Sequence, residues 1–408
     1  DTIELSVLNS NMTRTSGMKL QNLYSRLSDV GFIDNHSSDN GGALSLLNGK
    51  FYVYNAKLLN NSSPLNGGAV FMSKGLLSLD KSQLWNNRAM QGGALYAEGC
   101  EVRTHSNEWN NNRAYNGGCS FCEETETTLG FSTFTQCIAI TNGLLDNHGG
   151  GHYQRSGTLL VDGCKFTNNS CVASSKSGNG GAMYIEDVDT KILDSEFYDN
   201  RALDGGAIRY EYKSFYLHSI KSRSMSLEEF MVFDGNTARN RGGAISAGIQ
   251  TKLLLSGFGS HIERNVAKLG GAISLETTDF SFTNRGKATV RYNRAHVGAV
   301  LYSDQYVPTQ WENVILVNNT AEQYGNVFGS RPISLQLLHE NNTIVHQNDV
   351  YVSPSQVFEL MFTAIDVYNQ SVLRTNLDIY LEKTNANEDA IITGGNERVN
   401  YPTLGKLG

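Results

Sequence analysis

Proline is almost missing from this chain, at five in 408 residues, and no segment keeps the 3.6-residue apolar spacing of an amphipathic helix. Both lacks argue against leucine-rich, ankyrin or tetratricopeptide units and leave β-structure as the expectation. Nor does any apolar run reach the length that a bilayer-crossing helix needs, and no signal peptide is recognisable. A chain that opens at Asp1 rather than Met reads as a processed or partial product. Positive charge is not in excess: the formal net charge is −7 and is spread along the chain, so nucleic acid is not an expected partner. Gly-x-Ser-x-Gly, His-Glu-x-x-His and a phosphate loop are absent, and His148-Gly-Gly-Gly-His152 lacks a third ligand. The expectation is a protein with no catalytic role, no cofactor and no metal.

What the chain has instead is a repeat. A large apolar residue stands three positions before an asparagine, and a Gly-Gly-Ala-apolar step follows five or six positions later, as in residues 84–96. The apolar anchor falls at Phe32, Leu58, Leu84, Trp109, Phe134, Phe166, Phe197, Phe233, Ile262, Val290 and Leu316, at intervals of 25 to 32 residues with one of 36. The matching glycines are Gly41, Gly67, Gly92, Gly117, Gly149, Gly180, Gly205, Gly242, Gly270, Gly298 and Gly325. A unit this small cannot bury a core alone and must be covered by its neighbours, which defines a solenoid. The segments after the glycines, such as Gly92-Gly-Ala-Leu-Tyr-Ala97 and Gly270-Gly-Ala-Ile-Ser-Leu275, are rich in strand formers. Tandem glycine weakens a helix interior by roughly 1 kcal/mol each but suits a tight bend between strands.

Stacked about 4.8 Å apart, Asn35, Asn61, Asn87, Asn112, Asn169, Asn200, Asn236, Asn265, Asn293 and Asn319 would form one column whose amides hydrogen-bond into a ladder, with the anchors inside. Cys137 takes the asparagine's place in the fifth unit and interrupts the column.

Gly-Gly-Ala followed by an aliphatic residue, together with Phe32-Ile-Asp-Asn35, Phe166-Thr-Asn-Asn169, Phe197-Tyr-Asp-Asn200 and Phe233-Asp-Gly-Asn236, resembles the repeats of chlamydial polymorphic outer membrane proteins. Similar repeats occur in secreted and surface proteins of protists. The resemblance covers about residues 31 to 335. It implies a right-handed parallel β-helix with an adhesive or surface-structural role.

Three regions follow: 1–30 as an N-terminal cap, 31–345 as a parallel β-helix of about 11 rungs, and 346–408 as a partial β-sandwich-like (immunoglobulin-like) module or strand-exchange tail. The last rests on alternating strands at 358–370 and 377–381. Extra residues at 123–129, 143–151, 173–179 and 212–229 read as loops on the solenoid, the last bearing Lys213, Phe215, Tyr216, Lys221 and Arg223. All six cysteines, Cys100, Cys119, Cys122, Cys137, Cys164 and Cys171, lie in the less regular centre, and their even number favours disulfides and an oxidising compartment.

Glycosylation candidates are Asn11, Asn60, Asn168, Asn341 and Asn369, whereas the sequons at Asn35 and Asn61 fall in the inward ladder. Six residues after the first glycine, Glu98, Glu123, Glu186, Glu211, Glu276 and Asp304 recur in phase, with Arg155 and Gly248 between them. Carboxylates about 5 Å apart repel unless water, a cation or an arginine screens them. The stripe therefore either binds a cation or partner or ends a solvated strand and discourages lateral aggregation. Arginines recur one residue after the asparagine at Arg88, Arg113, Arg201 and Arg294, placed to pair with acids or to face water.

The expected protein is extracellular or on the cell surface, a structural or adhesive subunit of a coat or filament. It would associate with itself, with other surface proteins or with glycans. The alternative is a polysaccharide-binding or polysaccharide-cleaving β-helix, since retaining glycosidases need carboxylates about 5 Å apart. An enzyme has one special pair, however, and here similar pairs recur along the whole axis.

Overall fold

The computed structural model describes residues 4–140, 147–172, 178–213, 223–276, 279–304, 310–338, 360–372 and 405–407. Among them every regular element is a strand, and 29 strands join into one parallel sheet. Each strand pairs with its equivalent one repeat later, so the chain winds as a parallel β-helix. Val70–Asp80 pairs with Leu95–His105, that strand with Ser120–Gly130, and that one with His152–Asp162.

A coil consists of such a long strand, a short strand such as Gln83–Trp85 or Glu108–Asn110, and a bridging segment that pairs Arg88 with Arg113. The chain turns at left-handed residues. In one coil these are Lys81, Asn86 and Gly92 at φ 49, 57 and 62°, and in the next Ser106, Asn111 and Gly117 at φ 55, 49 and 61°. Asn and Asp visit this region more easily than other side chains because they bond locally. Accordingly, the residue before the ladder asparagine is left-handed Asp34, Asn60, Asn86, Asn111, Asn168, Asp199 or Asn318 in most coils. The second glycine of the pair answers a different constraint: a Cβ on Gly93 would stand 2.0 Å from the Gly118 carbonyl oxygen, so the coils close only without a side chain there.

Inside, the anchors form one in-register column. Phe32 pairs with Leu58, Leu58 with Leu84, and so on through Trp109, Phe134, Phe166, Phe197, Phe233, Ile262 and Val290 to Leu316. The rings of Phe134, Phe166, Phe197 and Phe233 stack with centroids 4.6, 5.0 and 4.8 Å apart. Aromatic pairs of this kind contribute about 0.5–1.5 kcal/mol each beyond their burial. The longer interval between Phe134 and Phe166 leaves this register intact.

The same winding is present ahead of Phe32. Glu4–Leu8 pairs in parallel with Tyr24–Ser28, and Met12 lies opposite Phe32. At the other end, Pro332–Leu338 and Leu360–Asp366 run antiparallel, with Gly405–Leu407 beside them. Most of region 346–408, including 377–381, lies outside the described residues, as do Asn341 and the loop residues Phe215, Tyr216 and Lys221.

Candidate functional site

The asparagine column is a closed hydrogen-bond system. Asn61 Nδ2 donates to Asn87 Oδ1 at 3.1 Å and to the Phe32 carbonyl at 2.9 Å, and the Asn61 backbone N–H donates to the same Asn87 Oδ1 at 2.9 Å. Each amide thus uses both N–H groups and both lone pairs of its oxygen. The pattern runs from Asn35 through Asn61 and Asn87 to Asn112, and from Asn169 through Asn200, Asn236, Asn265 and Asn293 to Asn319. Sequence reasoning missed its lower end. The Thr15 hydroxyl and N–H donate to Asn35 Oδ1 at 2.8 and 2.9 Å, one shortened coil earlier.

At the gap, Cys137 keeps one element of the ladder, its N–H donating to Asn169 Oδ1 at 2.9 Å. Its sulfur is bonded to Cys119, which replaces the alanine of Gly-Gly-Ala, so the disulfide joins two positions that both depart from the repeat. Of the six disulfide candidates, only Cys119 and Cys137 are bonded. Cys100, Cys122, Cys164 and Cys171 are buried free thiols. They occupy different columns: Cys122 faces Ala97 and Gln154 across the strands, Cys164 sits two residues before an anchor, and Cys171 packs with Ala139 and Ala202. Burial pushes the Cys122 and Cys164 thiols up to about 12, which leaves them unreactive.

A second polar column also escaped the sequence reading. The Ser82 N–H donates to Asn107 Oδ1 at 2.8 Å, the Asn107 N–H to Ser132 Oγ at 3.1 Å, and the Cys164 N–H to Ser195 Oγ at 3.2 Å. Its signal is a serine or asparagine two positions before the anchor.

The acidic column is held by foreign groups. Glu98, Glu123, Arg155, Glu186 and Glu211 stand in register on successive coils, and Arg155 forms an ion pair with Glu123. Tyr96, Tyr153 and Tyr184 hydroxyls donate to Glu123, Glu186 and Glu211 at 2.9, 2.8 and 2.5 Å. These tyrosines, with Phe71 and Phe121, form an aromatic column buried outside the main core. Among the described residues Arg209 is the most enclosed cation, its side chain 7% exposed. It meets Glu211 at 2.5 Å and, across the small residues Ser246 and Gly248, reaches Glu276 at 3.1 Å. Arg241 joins Asp304 at 3.2 Å, and Lys213 joins Glu211 at 3.2 Å. Burial works against the Glu211 carboxylate, but Arg209, Tyr184 and Lys213 hold its pKa down at about 2. Among the described residues no group of three His, Cys, Asp or Glu is placed to hold a metal ion.

The two histidines of the ligand-like motif go to opposite sides of the wall. His148 stacks on Tyr184 at 4.0 Å, whereas His152 is buried inside with Nδ1 2.8 Å from Ser120 Oγ. Arg88, Arg113, Arg201 and Arg294 are exposed on the bridging face. Of the glycosylation candidates, Asn11, Asn60, Asn168 and Asn369 are exposed, and Asn60 and Asn168 occupy left-handed corners at φ 55 and 53°.

Coil upon coil in register, with an inward amide ladder and paired glycines at one corner, defines a parallel β-helix, and its repeats are similar to those of chlamydial polymorphic membrane proteins. Residues 231–248 match the Chlamydia polymorphic membrane protein (Chlamydia_PMP) repeat, and that stretch holds Phe233, Asn236 and Gly242-Gly-Ala-Ile245. Over 270 residues the chain is 28% identical to a probable outer membrane protein, pmp21, of Chlamydia pneumoniae. The match takes in 63% of this chain and 15% of that protein's length. No solved structure matches the chain.

Proposed function

We propose that the chain is the rod-like part of a cell-surface protein with a structural and adhesive role, assembled into a coat or filament and free of catalysis. In this reading the rod is right-handed with about 11 rungs, and at about 4.8 Å per coil it would be about 50 Å long. The single observation that carries the reading is the unbroken register from Phe32 to Leu316, because a rod of fixed pitch holds surface groups away from its anchorage. Similarity to an outer membrane protein supports the location. The carboxylates are engaged by Arg155, Arg209, Arg241 and tyrosines along the axis, which suits a wall and not a single reacting pair.

In this reading Asn11, Asn60, Asn168 and Asn369 face solvent and are the positions open to glycans, while the exposed wall contacts other copies or neighbouring surface proteins. The test uses antibodies to the folded chain on intact and permeabilised cells that make the full-length protein. Labelling of intact cells, together with adherence of chain-coated beads to cultured cells above albumin-coated beads, is the expected result. Labelling that appears only after permeabilisation would overturn the reading. The second reading, a polysaccharide-cleaving β-helix, predicts turnover on a glycan panel that Glu211→Gln abolishes.

A further inference from the structure

One stretch of the bridging face differs from the acidic stripe in that arginines line it and carboxylates do not. An open groove of about 630 Å³ runs there along the solenoid axis, crossing successive coils from Ser37 to Ile140. Arg88 and Arg113 line it as partners in a parallel bridge, so their stems lie about 4.8 Å apart along the axis. Both are exposed, neither forms an ion pair among the described residues, and no carboxylate lines the groove. Two guanidinium groups in register repel each other and leave their forks free for oxyanions. Beside them the lining is apolar: Met90 and Ile140 are 38% and 37% exposed, and Tyr115 is half-buried.

We propose that this groove binds a linear anionic polysaccharide lying along the rod, with carboxylate or sulfate groups on Arg88 and Arg113 and sugar faces on Met90, Tyr115 and Ile140. A saccharide fits better than an acidic peptide because the floor has no backbone group to offer. Its N–H groups are already spent between coils, Ser62 to the Asn35 carbonyl, Arg88 to Asn61, Arg113 to Asn87 and Ala89 to Arg113. A peptide backbone laid there would lose water without gaining partners, whereas sugar hydroxyls in an open groove keep theirs. Arginine rather than lysine suits the planar, two-oxygen geometry of a uronate or sulfate. The proposal deepens the surface reading and rests on it, since such polymers are met outside the cell.

The test is a calorimetric titration of the whole chain with a heparin octasaccharide, an octagalacturonate, neutral dextran and poly-glutamate. One or both anionic saccharides should bind, more weakly as salt is raised. Arg88→Gln/Arg113→Gln should lower affinity about tenfold or more through loss of two charge-assisted forks. Arg201→Gln/Arg294→Gln, in the same column but outside the groove, should change it less than about twofold. Binding of heparin alone assigns sulfate as the recognised group, and binding of octagalacturonate shows that carboxylate suffices. Equal loss in the two double variants, poly-glutamate binding as tightly as the saccharides, or no saccharide binding overturns the proposal. Beads coated with Arg88→Gln/Arg113→Gln separate the two failures. Adherence that persists while the wild type ignores every saccharide sinks the groove alone, and absence of surface labelling sinks the surface reading.

Discussion

The asparagine column and the acidic column repeat with the same period, yet one is closed on itself and the other is held by borrowed partners. An amide carries two donors and two acceptor sites, so identical amides stacked at coil spacing complete each other, as Asn200 does with Asn236. A carboxylate only accepts. Identical carboxylates at that spacing repel, and the column persists because Arg155 interrupts it, Gly248 and Ser246 leave room for Arg209, and tyrosine hydroxyls supply donors. Self-complementary residues can therefore repeat without variation, whereas acids force irregularity on their surroundings.

The sharpest break in the first column is Asn200→Asp. It removes the Nδ2 donors to the Phe166 carbonyl and Asn236 Oδ1, at 3.1 and 2.9 Å, and sets a carboxylate against an acceptor in a fully buried stack. About 3–5 kcal/mol of stability should be lost, read as a drop in the urea midpoint. The matching change in the second column, Glu98→Gln, should cost less than about 1 kcal/mol. If the two variants unfold together, the contrast between the columns is void.

Next in size is Arg209→Met. It leaves Glu211 and Glu276, two coils apart, without the enclosed guanidinium that both pair with, and should destabilise by about 3 kcal/mol. Adding Glu211→Gln and Glu276→Gln should recover most of that loss, because the penalty lies in the uncompensated charges. Failure of the triple variant to recover would mean that Arg209 acts through packing alone.

The difference between the columns also decides what could be read without a structure. The anchors, glycines and asparagines repeat because each meets its own kind, so Phe166, Phe197 and Phe233 could be placed on one another from spacing alone. Partners that differ in kind leave no such trace. That Arg209 spans two coils to Glu276 depends on the smallness of Ser246 and Gly248, and the gap that Gly248 leaves in the acidic column does not by itself say which cation fills it. The disulfide was legible in principle, because Cys119 and Cys137 each replace a repeat residue, but counting cysteines masked it. The serine and asparagine column at Ser82, Asn107 and Ser132 was hidden because Ser and Asn alternate there with Ala and Cys, which also fit the space.

Acid should separate two buried groups by pH. The ordinary His152 value of 6.5 is lowered to about 4 by burial, so the unfolded chain takes up a proton that the fold refuses. That contribution is complete above pH 6.5 and is lost as pH falls toward 4. Glu211, lowered from 4.5 to about 2, contributes above pH 4.5 and fades as pH falls toward 2. Each window should carry about 3 kcal/mol. Urea midpoints measured across pH should therefore decline in two steps. His152→Leu, which restores an apolar residue between Ser120 and Met183, should flatten the upper step, and Glu211→Gln the lower. A single step unaffected by His152→Leu would place the acid sensitivity elsewhere.

The smallest expected effect tests self-complementarity most directly. Cys119→Ala/Cys137→Asn would restore both repeat residues at the one gap in the ladder. The disulfide it removes spans 18 residues, and closing a loop of that size stabilises by about 3 kcal/mol in the chain-entropy account. The new amide would accept from Asn112 and donate to Asn169 Oδ1 and the Trp109 carbonyl, bonds of about 1 kcal/mol each. The two should offset to within about 1 kcal/mol, leaving the urea midpoint near that of the oxidised chain and insensitive to reductant. The parent chain should lose stability when reduced, because its thiols then face ladder groups they satisfy poorly. A double variant no more stable than the reduced parent would show that the ladder depends on more than like meeting like, and the distinction between the two columns would narrow to one of burial.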